Sequence, residues 1–185
     1  MRNSLSSAFV SSASAWIAEK TKPLLAEVNA LGIYVGVGNE VATIDLITWC
    51  LSEGKAVYCP RVHGDTMDFY PISCLNDLKP GTYGLLEPIG NQPCQPSAMA
   101  CMVMPLVGFN EACQRIGQGK GYYDKYLKQC SCMKLGLAYE CQKAEFTNEA
   151  HDIDADMIIT EQHIYRRVKE LHLEPFIGSF FYSIS

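Results

Sequence analysis

A short glycine-rich loop carries the clearest chemical signal in this chain. The loop consists, in order, of Gly117, Gln118, Gly119, Lys120 and Gly121. Because glycine has no Cβ atom, the backbone N–H groups of such a loop stay open and can turn towards one point. If a helix begins near Tyr122, its positive dipole end faces the same point, and Lys120 adds a charge. The loop is therefore predicted to bind phosphate groups, with a nucleoside triphosphate as its natural ligand.

Two common phosphate-binding motifs do not fit this loop. A Walker A loop requires serine or threonine after its lysine, whereas Gly121 follows Lys120. The dinucleotide motif requires two residues between its second and third glycines, and here Lys120 alone separates Gly119 from Gly121. A plain tight turn between a strand and a helix remains the alternative interpretation.

Acidic residues that follow the loop are candidate metal ligands. Asp124 comes three residues after the last glycine and can hold a divalent cation against phosphate oxygens. An acid at this position more often stabilises the first turn of a helix. Residues 151–156 supply three acids at alternate positions, which an extended chain would point to one side. A solvated acidic turn is the simplest interpretation of that run.

Other side chains have the chemistry to contact a substrate. Glu40 follows a predicted strand and two nearby glycines that permit close approach of a ligand, although a surface acid beside a turn fits as well. Tyr122 and Tyr123 can stack on a flat substrate or close a site, although such residues more often pack. Arg61, at the end of a predicted strand, is a candidate for contact with an anion.

Apolar periodicity divides the chain into alternating strands and helices. Helical spacing predicts a helix over residues 5–30 that breaks near Pro23, a helix to Leu51 that Thr43 or Asp45 caps, and a helix over 122–128. Branched apolar runs predict strands at 32–37, 56–59, 69–72, 100–105, 134–138 and 157–160. This alternation predicts one α/β domain over residues 1–185, with helices flanking a mainly parallel sheet. Ligands bind outside the C-terminal ends of such strands, where the glycine loop and Glu40 would lie.

The composition describes an ordinary globular protein. Of the 185 residues, 48% are hydrophobic and 19% are charged, and the formal net charge of −5 disfavours a nucleic-acid partner. The nine cysteines are odd in number and form no Cys-x-x-Cys pair, so free thiols in a reducing compartment are expected. Residues 1–15 lack the apolar core of a signal peptide, and the apolar stretch 175–184 is shorter than a bilayer span, so neither a signal peptide nor a membrane span is expected. A cytoplasmic monomer without membrane contact is predicted, with an organellar location as the alternative.

Several blocks of the chain, taken in order, resemble the 5-formyltetrahydrofolate cyclo-ligase family. The run Arg-Ile-Gly-Gln-Gly-Lys-Gly-Tyr-Tyr-Asp, from Arg115 to Asp124, is similar to the central motif of that family. Residues 39–43, Asn-Glu-Val-Ala-Thr, resemble its Glu-x-x-Thr segment. Further similar blocks lie at residues 54–62, 67–69, 83–88, 104–109, 136–139, 151–152 and 158–160. The resemblance covers about residues 31–160, and residues 168–185 form a C-terminal extension of unknown role.

This resemblance implies a fold and an activity. The fold would be of the NagB/RpiA/CoA transferase-like type, with a single domain. The activity would be the cyclisation of 5-formyltetrahydrofolate to 5,10-methenyltetrahydrofolate, with ATP as co-substrate, Mg²⁺ as cofactor, and ADP and phosphate as products. In the family, the formyl oxygen is phosphorylated to an imidate phosphate, and N10 of the folate then displaces the phosphate.

The resemblance also implies roles for individual residues. ATP would be contacted by Arg2, Arg115, Gly117, Gln118, Gly119, Lys120, Gly121, Tyr122 and Tyr123. The folate would be contacted by Val35, Glu40, Gln118, Gly119, Lys120, Gly121 and Tyr122. Magnesium would be held by Asp124 and Asp152, and catalysis would depend on Lys120, Tyr122 and Asp124.

The N-terminus differs from the pattern of the family. Members begin with a helix that bears Lys-x-x-x-Arg, whereas this chain has Arg2 at the lysine and Ser6 at the arginine. Loss of one charge-assisted contact costs about 1.5–3 kcal/mol, which weakens nucleotide binding by about one to two orders of magnitude unless Lys20 or Lys22 compensates.

Two alternatives to the cyclo-ligase remain. One is a family member that binds folate or nucleotide with little catalysis, and the other is a different enzyme of the same architecture with a carboxylate base.

Overall fold

A seven-stranded sheet forms the centre of the fold. The structure, a computed structural model, describes residues 2–81, 84–149 and 152–168. The strands within these ranges are β1 (Ala30–Ile33), β2 (Ala56–His63), β3 (Thr66–Ile72), β4 (Leu78–Pro80), β5 (Leu86–Pro88), β6 (Cys101–Pro105), β7 (Gly108–Phe109), β8 (Arg115–Ile116), β9 (Met133–Leu137), β10 (Met157–Ile159) and β11 (Ile164–Arg166). The order in the main sheet is β11-β10-β9-β6-β1-β2-β3, while β4 pairs with β5 and β7 with β8.

The central strands of this sheet are parallel, as the sequence predicted. Strands β10, β9, β6, β1 and β2 pair in parallel, and β11 and β3 add antiparallel edges. Parallel neighbours require long crossovers, which helices and loops supply on the faces of the sheet. The predicted α/β fold with a mainly parallel sheet is therefore confirmed.

Helices cover both faces of the sheet. The α-helices of the described chain are α1 (Ser7–Thr21), α2 (Ile44–Ser52) and α3 (Tyr122–Leu127). In β6, Cys101 and Val103 pack in the core with α1 and α2, whereas Met102 and Met104 pack in the core with α3. Successive side chains of a strand point to opposite faces, so a strand covered on both sides is apolar throughout. No helix in the described ranges combines the length and the apolarity of a membrane span.

Several predicted elements differ from the observed ones, among them the strand 32–37 and the helix after Pro23. The predicted strand 32–37 is wrong after Ile33, where β1 ends and residues 34–43 form a loop, here called the Glu40 loop. The predicted helix after Pro23 is also wrong, because a 3₁₀ turn (Lys22–Leu25) follows α1 and leads to β1. Proline lacks the N–H that continuing the α-helix would require.

The nine cysteines are free thiols, as predicted. They are Cys50, Cys59, Cys74, Cys94, Cys101, Cys113, Cys130, Cys132 and Cys141. Burial raises the pKa of the Cys50 thiol to about 11 and that of Cys59 to about 12. Such thiols stay protonated at neutral pH and act as small apolar side chains.

Candidate active site

The glycine loop, residues 117–121, joins strand β8 to helix α3. The chain leaves β8 at Ile116 and enters α3 at Tyr122, so the predicted start of a helix is confirmed. Gly119 and Gly121 have φ angles of +84° and +67°, a left-handed conformation that costs other residues about 1–2 kcal/mol. Apart from the adjacent residues, no atom lies within 4 Å of the position that a Cβ would occupy at either glycine. The loop thus depends on glycine for its backbone shape and is open on its outer side.

An ion pair fixes the two ends of the glycine loop. Nη2 of Arg115 lies 2.5 Å from Oδ1 of Asp124, and only 3% of the Arg115 side chain is exposed. Nε of Arg115 also donates to the carbonyl oxygen of Ile153 at 3.0 Å, and the N–H of Ile153 donates to Oδ1 of Asp124 at 3.0 Å. Arg115 therefore supports the loop from the protein side. Its contact with an ATP phosphate stays a prediction.

The hydrogen bond from Ile153 brings Asp124 to the residue that follows Asp152, the second predicted metal ligand. Asp152 directly precedes Ile153, and its Oδ2 accepts a hydrogen bond from the N–H of Glu149 at 3.0 Å. Within the described ranges, no group of three or more His, Cys, Asp or Glu side chains is arranged to hold a metal ion. Magnesium in proteins often uses one or two carboxylates together with phosphate oxygens. Asp124 and Asp152 fit that donor set, and metal binding there stays a prediction.

The three acids of the run 152–156 have separate hydrogen-bond partners. Oδ1 of Asp154 accepts from the amide of Asn148 at 3.1 Å, and Oδ2 of Asp156 accepts from the N–H of Lys134 at 2.8 Å. Each acid thus has its own partner within the protein. His151, in the same run, lies outside the described residues.

Glu40 is buried, and its loop is held by hydrogen bonds. Glu40 is 7% exposed, and its Oε2 accepts a hydrogen bond from the N–H of Val37 at 3.0 Å. Oγ1 of Thr43 donates to the carbonyl oxygen of Tyr34 at 2.7 Å and accepts from the N–H of Gly36 at 3.1 Å. Thr43 is also the N-cap residue of α2, as predicted, but its hydroxyl serves the loop instead of the helix. The Glu40 carboxylate is therefore fixed in direction.

The Glu40 loop and the glycine loop meet, although they are distant in sequence. Nε2 of Gln118 donates to Oε1 of Glu40 at 3.3 Å, across a separation of 78 residues. The Glu40 loop follows the C-terminal end of β1, and the chain reaches the glycine loop from the C-terminal end of the neighbouring strand β6, through β7 and β8. Val35, a predicted folate contact, belongs to the Glu40 loop and packs against the core. The Glu40 loop and the glycine loop thus lie at one edge of the sheet.

Two tyrosines at the start of α3 have different surroundings. Tyr122 donates its hydroxyl to the carbonyl oxygen of Gly64 at 2.9 Å, in the turn between β2 and β3. Tyr123 stands edge-on to Phe69, with 6.5 Å between the ring centroids. Burial raises the pKa of the Tyr123 hydroxyl, and the charge of Glu40 raises it further. Tyr123 therefore borders both loops, whereas Tyr122 fastens α3 to the β2–β3 turn, and a catalytic role for Tyr122 stays a prediction.

The cations expected to contact ATP are described only in part. Lys120 is exposed on the glycine loop, where it was predicted. The side chain of Arg2 lies outside the described residues. Ser6, at the position of the family's arginine, is the N-cap of α1, and its Oγ accepts from the N–H of Phe9 at 3.1 Å. At that position this chain thus has a helix cap instead of a cation.

The hypothesis that Lys20 or Lys22 replaces the missing cation finds no support in their contacts. Nζ of Lys20 donates to the carbonyl oxygen of Thr160 at 3.0 Å. Nζ of Lys22 pairs with Glu19 at 2.5 Å. Both ammonium groups therefore contact partners outside the glycine loop.

Arg61 makes structural contacts, and its contact with an anion stays a prediction. Strand β2 does not end at Cys59, as predicted, but continues through Arg61 into the turn with β3. Nη1 of Arg61 donates to the carbonyl oxygens of Pro88 at 2.7 Å and Gly90 at 2.9 Å. Its guanidinium lies 3.8 Å from the centroid of the Tyr70 ring. Arg61 thus ties the segment after β5 to the sheet.

Three buried polar residues support the site and were assigned no role from the sequence. Ser14, Tyr139 and Gln142 are 5%, 0% and 7% exposed. Oγ of Ser14, on α1, accepts from the N–H of Ala42 at 2.9 Å. The position of Tyr139 directly after the predicted strand 134–138 was a usable signal, because strand ends carry ligand sites. Ser14 and Gln142 gave no signal, since such residues are usually exposed.

Known proteins with this arrangement share one activity in their names. The sequence pattern of the 5-formyltetrahydrofolate cyclo-ligase family matches residues 1–161. A 5-formyltetrahydrofolate cyclo-ligase of Mycoplasma genitalium is 35% identical over 132 residues, which cover 70% of each chain. The solved 5,10-methenyltetrahydrofolate synthetase of Aquifex aeolicus has a TM-score of 0.80 at 28% identity, over 94% of this chain and 93% of that one. The synthetase of Mycoplasma pneumoniae has a TM-score of 0.72 at 28% identity, over 86% and 92%. This chain therefore belongs to the 5-formyltetrahydrofolate cyclo-ligase family.

Proposed function

We propose that this protein is a ligase that cyclises 5-formyltetrahydrofolate to 5,10-methenyltetrahydrofolate, with ATP and Mg²⁺, and releases ADP and phosphate. Membership of the cyclo-ligase family supports the reaction. The observation that carries the proposal is the 3.3 Å contact between Gln118 of the glycine loop and the Glu40 carboxylate. It joins a loop suited to phosphate with a buried acid suited to a heterocycle, so two different ligands can react at one edge of the sheet.

The Glu40 loop supplies the folate side of the proposed site. A carboxylate accepts hydrogen bonds only, and the amino and ring N–H groups of a pterin are donors. Oε2 of Glu40 is held by Val37, so Oε1 is the oxygen directed to the ligand. Gln118 is an exposed side chain and can give way to the pterin. Val35 adds an apolar surface beside it.

The glycine loop supplies the nucleotide side. Gly117, Gly119 and Gly121 leave the backbone N–H groups open to phosphate oxygens. Lys120 and Arg2 would neutralise the phosphate charge, and Arg115 would hold the loop through Asp124. Tyr123, between the loops, would separate the two ligands from the core.

Asp124 and Asp152 are the residues that would hold magnesium. Their carboxylate oxygens are the hard donors that Mg²⁺ prefers, and phosphate oxygens would complete the set. The bound ion would supply neutralisation of the triphosphate charge. The ion pair with Arg115 directs Asp124 and restricts its movement.

The formyl oxygen is a poor leaving group, so the reaction has to activate it. The formyl oxygen attacks the γ-phosphorus of ATP, the bond to ADP breaks, and an imidate phosphate forms on the folate. The lone pair of N10 then attacks the formyl carbon, N10 loses its proton, and the C–O bond breaks to release phosphate. For phosphoryl transfer the protein mainly positions the reactants and stabilises charge. Glu40, Lys120 and the open loop N–H groups perform these tasks, and no side-chain nucleophile is required.

The near-ultraviolet absorbance of 5,10-methenyltetrahydrofolate tests this proposal. Purified protein is incubated with 5-formyltetrahydrofolate in four mixtures: with ATP and Mg²⁺, without ATP, without Mg²⁺, and with a non-hydrolysable ATP analogue. We expect an absorbance rise in the first mixture alone. Absence of a rise in the first mixture, with 5-formyltetrahydrofolate binding measured by calorimetry, would instead identify a folate-binding relative with little catalysis.

A further inference from the structure

The turn that follows β9 touches the Glu40 loop from inside the protein. Tyr139 begins this turn and is completely buried. Its hydroxyl donates to the carbonyl oxygen of Glu40 at 3.0 Å, across a separation of 99 residues. Oγ of Ser14 lies 3.5 Å from the same hydroxyl and accepts from the N–H of Ala42 at 2.9 Å. The hydroxyl of Tyr139, which follows β9, and the hydroxyl of Ser14 on α1 thus hold the backbone on both sides of Val41.

The turn itself is anchored by a different side chain. Oε1 of Gln142 accepts from the N–H of Tyr139 at 2.9 Å. Nε2 of Gln142 donates to the carbonyl oxygens of Leu106 at 2.7 Å and Val107 at 3.1 Å, in the segment that leads to β7. The N–H of Val107 in turn donates to the carbonyl oxygen of Ile116, next to the glycine loop. The position of the Tyr139 ring is therefore set independently of its hydroxyl.

Packing alone does not require a tyrosine at this position. The ring lies 5.5 Å from the ring of Phe9, a contact that phenylalanine would make equally well. A buried hydroxyl costs free energy unless it forms a hydrogen bond, and Glu40 supplies the acceptor. The hydroxyl therefore serves the Glu40 loop and not the core.

We propose that Tyr139 is a positioning residue for Glu40: its hydroxyl fixes the backbone from which the folate-binding carboxylate extends. This inference rests on the proposed function, because it takes Glu40 as the contact for the pterin. It predicts an effect that is confined to the folate. The nucleotide side depends on the Arg115–Asp124 ion pair, which Tyr139 does not touch.

The test compares two substitutions of buried tyrosines, Tyr139→Phe and Tyr126→Phe. Tyr126 is 3% exposed, and its hydroxyl lies next to the Cys94 thiol, outside the Glu40 loop, so it controls for the loss of a buried oxygen. For Tyr139→Phe we expect the KM and the calorimetric Kd for 5-formyltetrahydrofolate to rise about three- to tenfold, the effect of losing one neutral hydrogen bond. The KM for ATP and the kcat should stay within about twofold. Tyr126→Phe should leave all four values unchanged.

Either of two results would overturn the inference. An unchanged Kd for 5-formyltetrahydrofolate in Tyr139→Phe would mean that the hydroxyl does not position Glu40. An equal rise in the KM values for folate and ATP would mean a general loss of structure.

A further measurement separates this inference from the proposed function. If the wild-type protein forms no product, amide hydrogen exchange over residues 36–43 still decides the role of Tyr139. Faster exchange in Tyr139→Phe than in Tyr126→Phe supports positioning, and equal exchange contradicts it.

Discussion

The two loops of the candidate site are held in different ways. The Glu40 loop is bound along its length by Thr43, by Tyr139 and by Ser14 of α1. Residues 117–120 of the glycine loop are exposed, and the Arg115–Asp124 ion pair anchors the loop at its ends. One side of the site is therefore fixed throughout, and the other is fixed at two points.

This difference matches what each side of the proposed reaction demands. A flat, rigid heterocycle binds best to groups that are already in place, because no side-chain ordering is then needed. A triphosphate changes its shape and charge distribution during phosphoryl transfer, so its loop has to adjust. We interpret the Glu40 loop as the preformed side of the site and the glycine loop as the adjustable side. Four substitutions test this contrast.

Asp124→Asn should have the largest effect of the four substitutions, because it removes the ion pair that anchors the ends of the glycine loop. We expect kcat to fall by about 10²-fold or more, the effect of removing one group that stabilises reacting charge. The free energy of unfolding should also fall by about 3 kcal/mol, since the buried Arg115 guanidinium loses its counter-charge. Steady-state kinetics and urea denaturation measure both. Asp154→Asn is the control, and normal turnover in Asp124→Asn would refute the assignment.

Lys120→Met should affect the nucleotide and leave the fold intact. Removing a charge-assisted contact costs about 1.5–3 kcal/mol, so kcat/KM for ATP should fall about tenfold to a hundredfold. The side chain is exposed, so the free energy of unfolding should change by less than about 0.5 kcal/mol. The matched control is Lys125→Met, on the exposed side of α3, where Nζ lies 3.4 Å from the carbonyl oxygen of Asp65. Equal losses in both variants would remove the specific role of Lys120.

Gly36→Ala should damage the preformed side by steric means. A Cβ at Gly36 would lie 2.6 Å from the backbone oxygen of Val41, which other hydrogen bonds hold in place. Overpacking of this kind costs about 1–3 kcal/mol, and the displaced loop should raise the KM for 5-formyltetrahydrofolate more than that for ATP. Thermal unfolding and substrate titrations measure the two effects. A neutral result would show that the Glu40 loop yields easily.

Gly119→Ala should have the smallest effect, although the backbone conformation is less favourable for alanine. The cost of φ +84° is about 1 kcal/mol, and no distant atom opposes the new methyl group. An exposed loop can relax, so we expect a rise of about fivefold or less in the KM for ATP. Direct titration of ATP against the variant measures this. A larger loss than in Gly36→Ala would reverse the contrast between the two loops.

Much of the fold follows from local patterns in the sequence. The alternation of apolar runs predicted the central strands and the mainly parallel sheet, and Gly121 marked the start of α3. These features depend on the conformational preferences of a few adjacent residues. The predictions failed where a neighbour in space decided the outcome. Residues 34–37 have the branched side chains of a strand, but contacts of Tyr34, Gly36 and Val37 with residues 40–43 hold them in a loop.

The residues of the candidate site also include some that local sequence predicted and some that it did not. Gly117–Gly121 spacing, Lys120 and the acid at Asp124 were visible as a unit, because they are adjacent in the chain. A phosphate site could therefore be predicted there, and the resemblance to a known family extended the predicted site to Glu40 and Asp152. The structural contacts of Arg61 could not be predicted, because its carbonyl partners lie 27 and 29 residues away, beyond a segment whose path the sequence does not reveal.

The sequence by itself determined the alternation of strands and helices along the chain and the family to which the chain belongs, and it predicted a phosphate site at residues 117–121. The tertiary structure alone decided that Gln118 reaches Glu40, that Arg115 is buried against Asp124, and that Tyr139 holds the Glu40 loop. The physical reason is one of range. Backbone preferences act between residues a few positions apart, whereas the partner of a buried polar group is whichever group the packing of the whole sheet brings within hydrogen-bond distance.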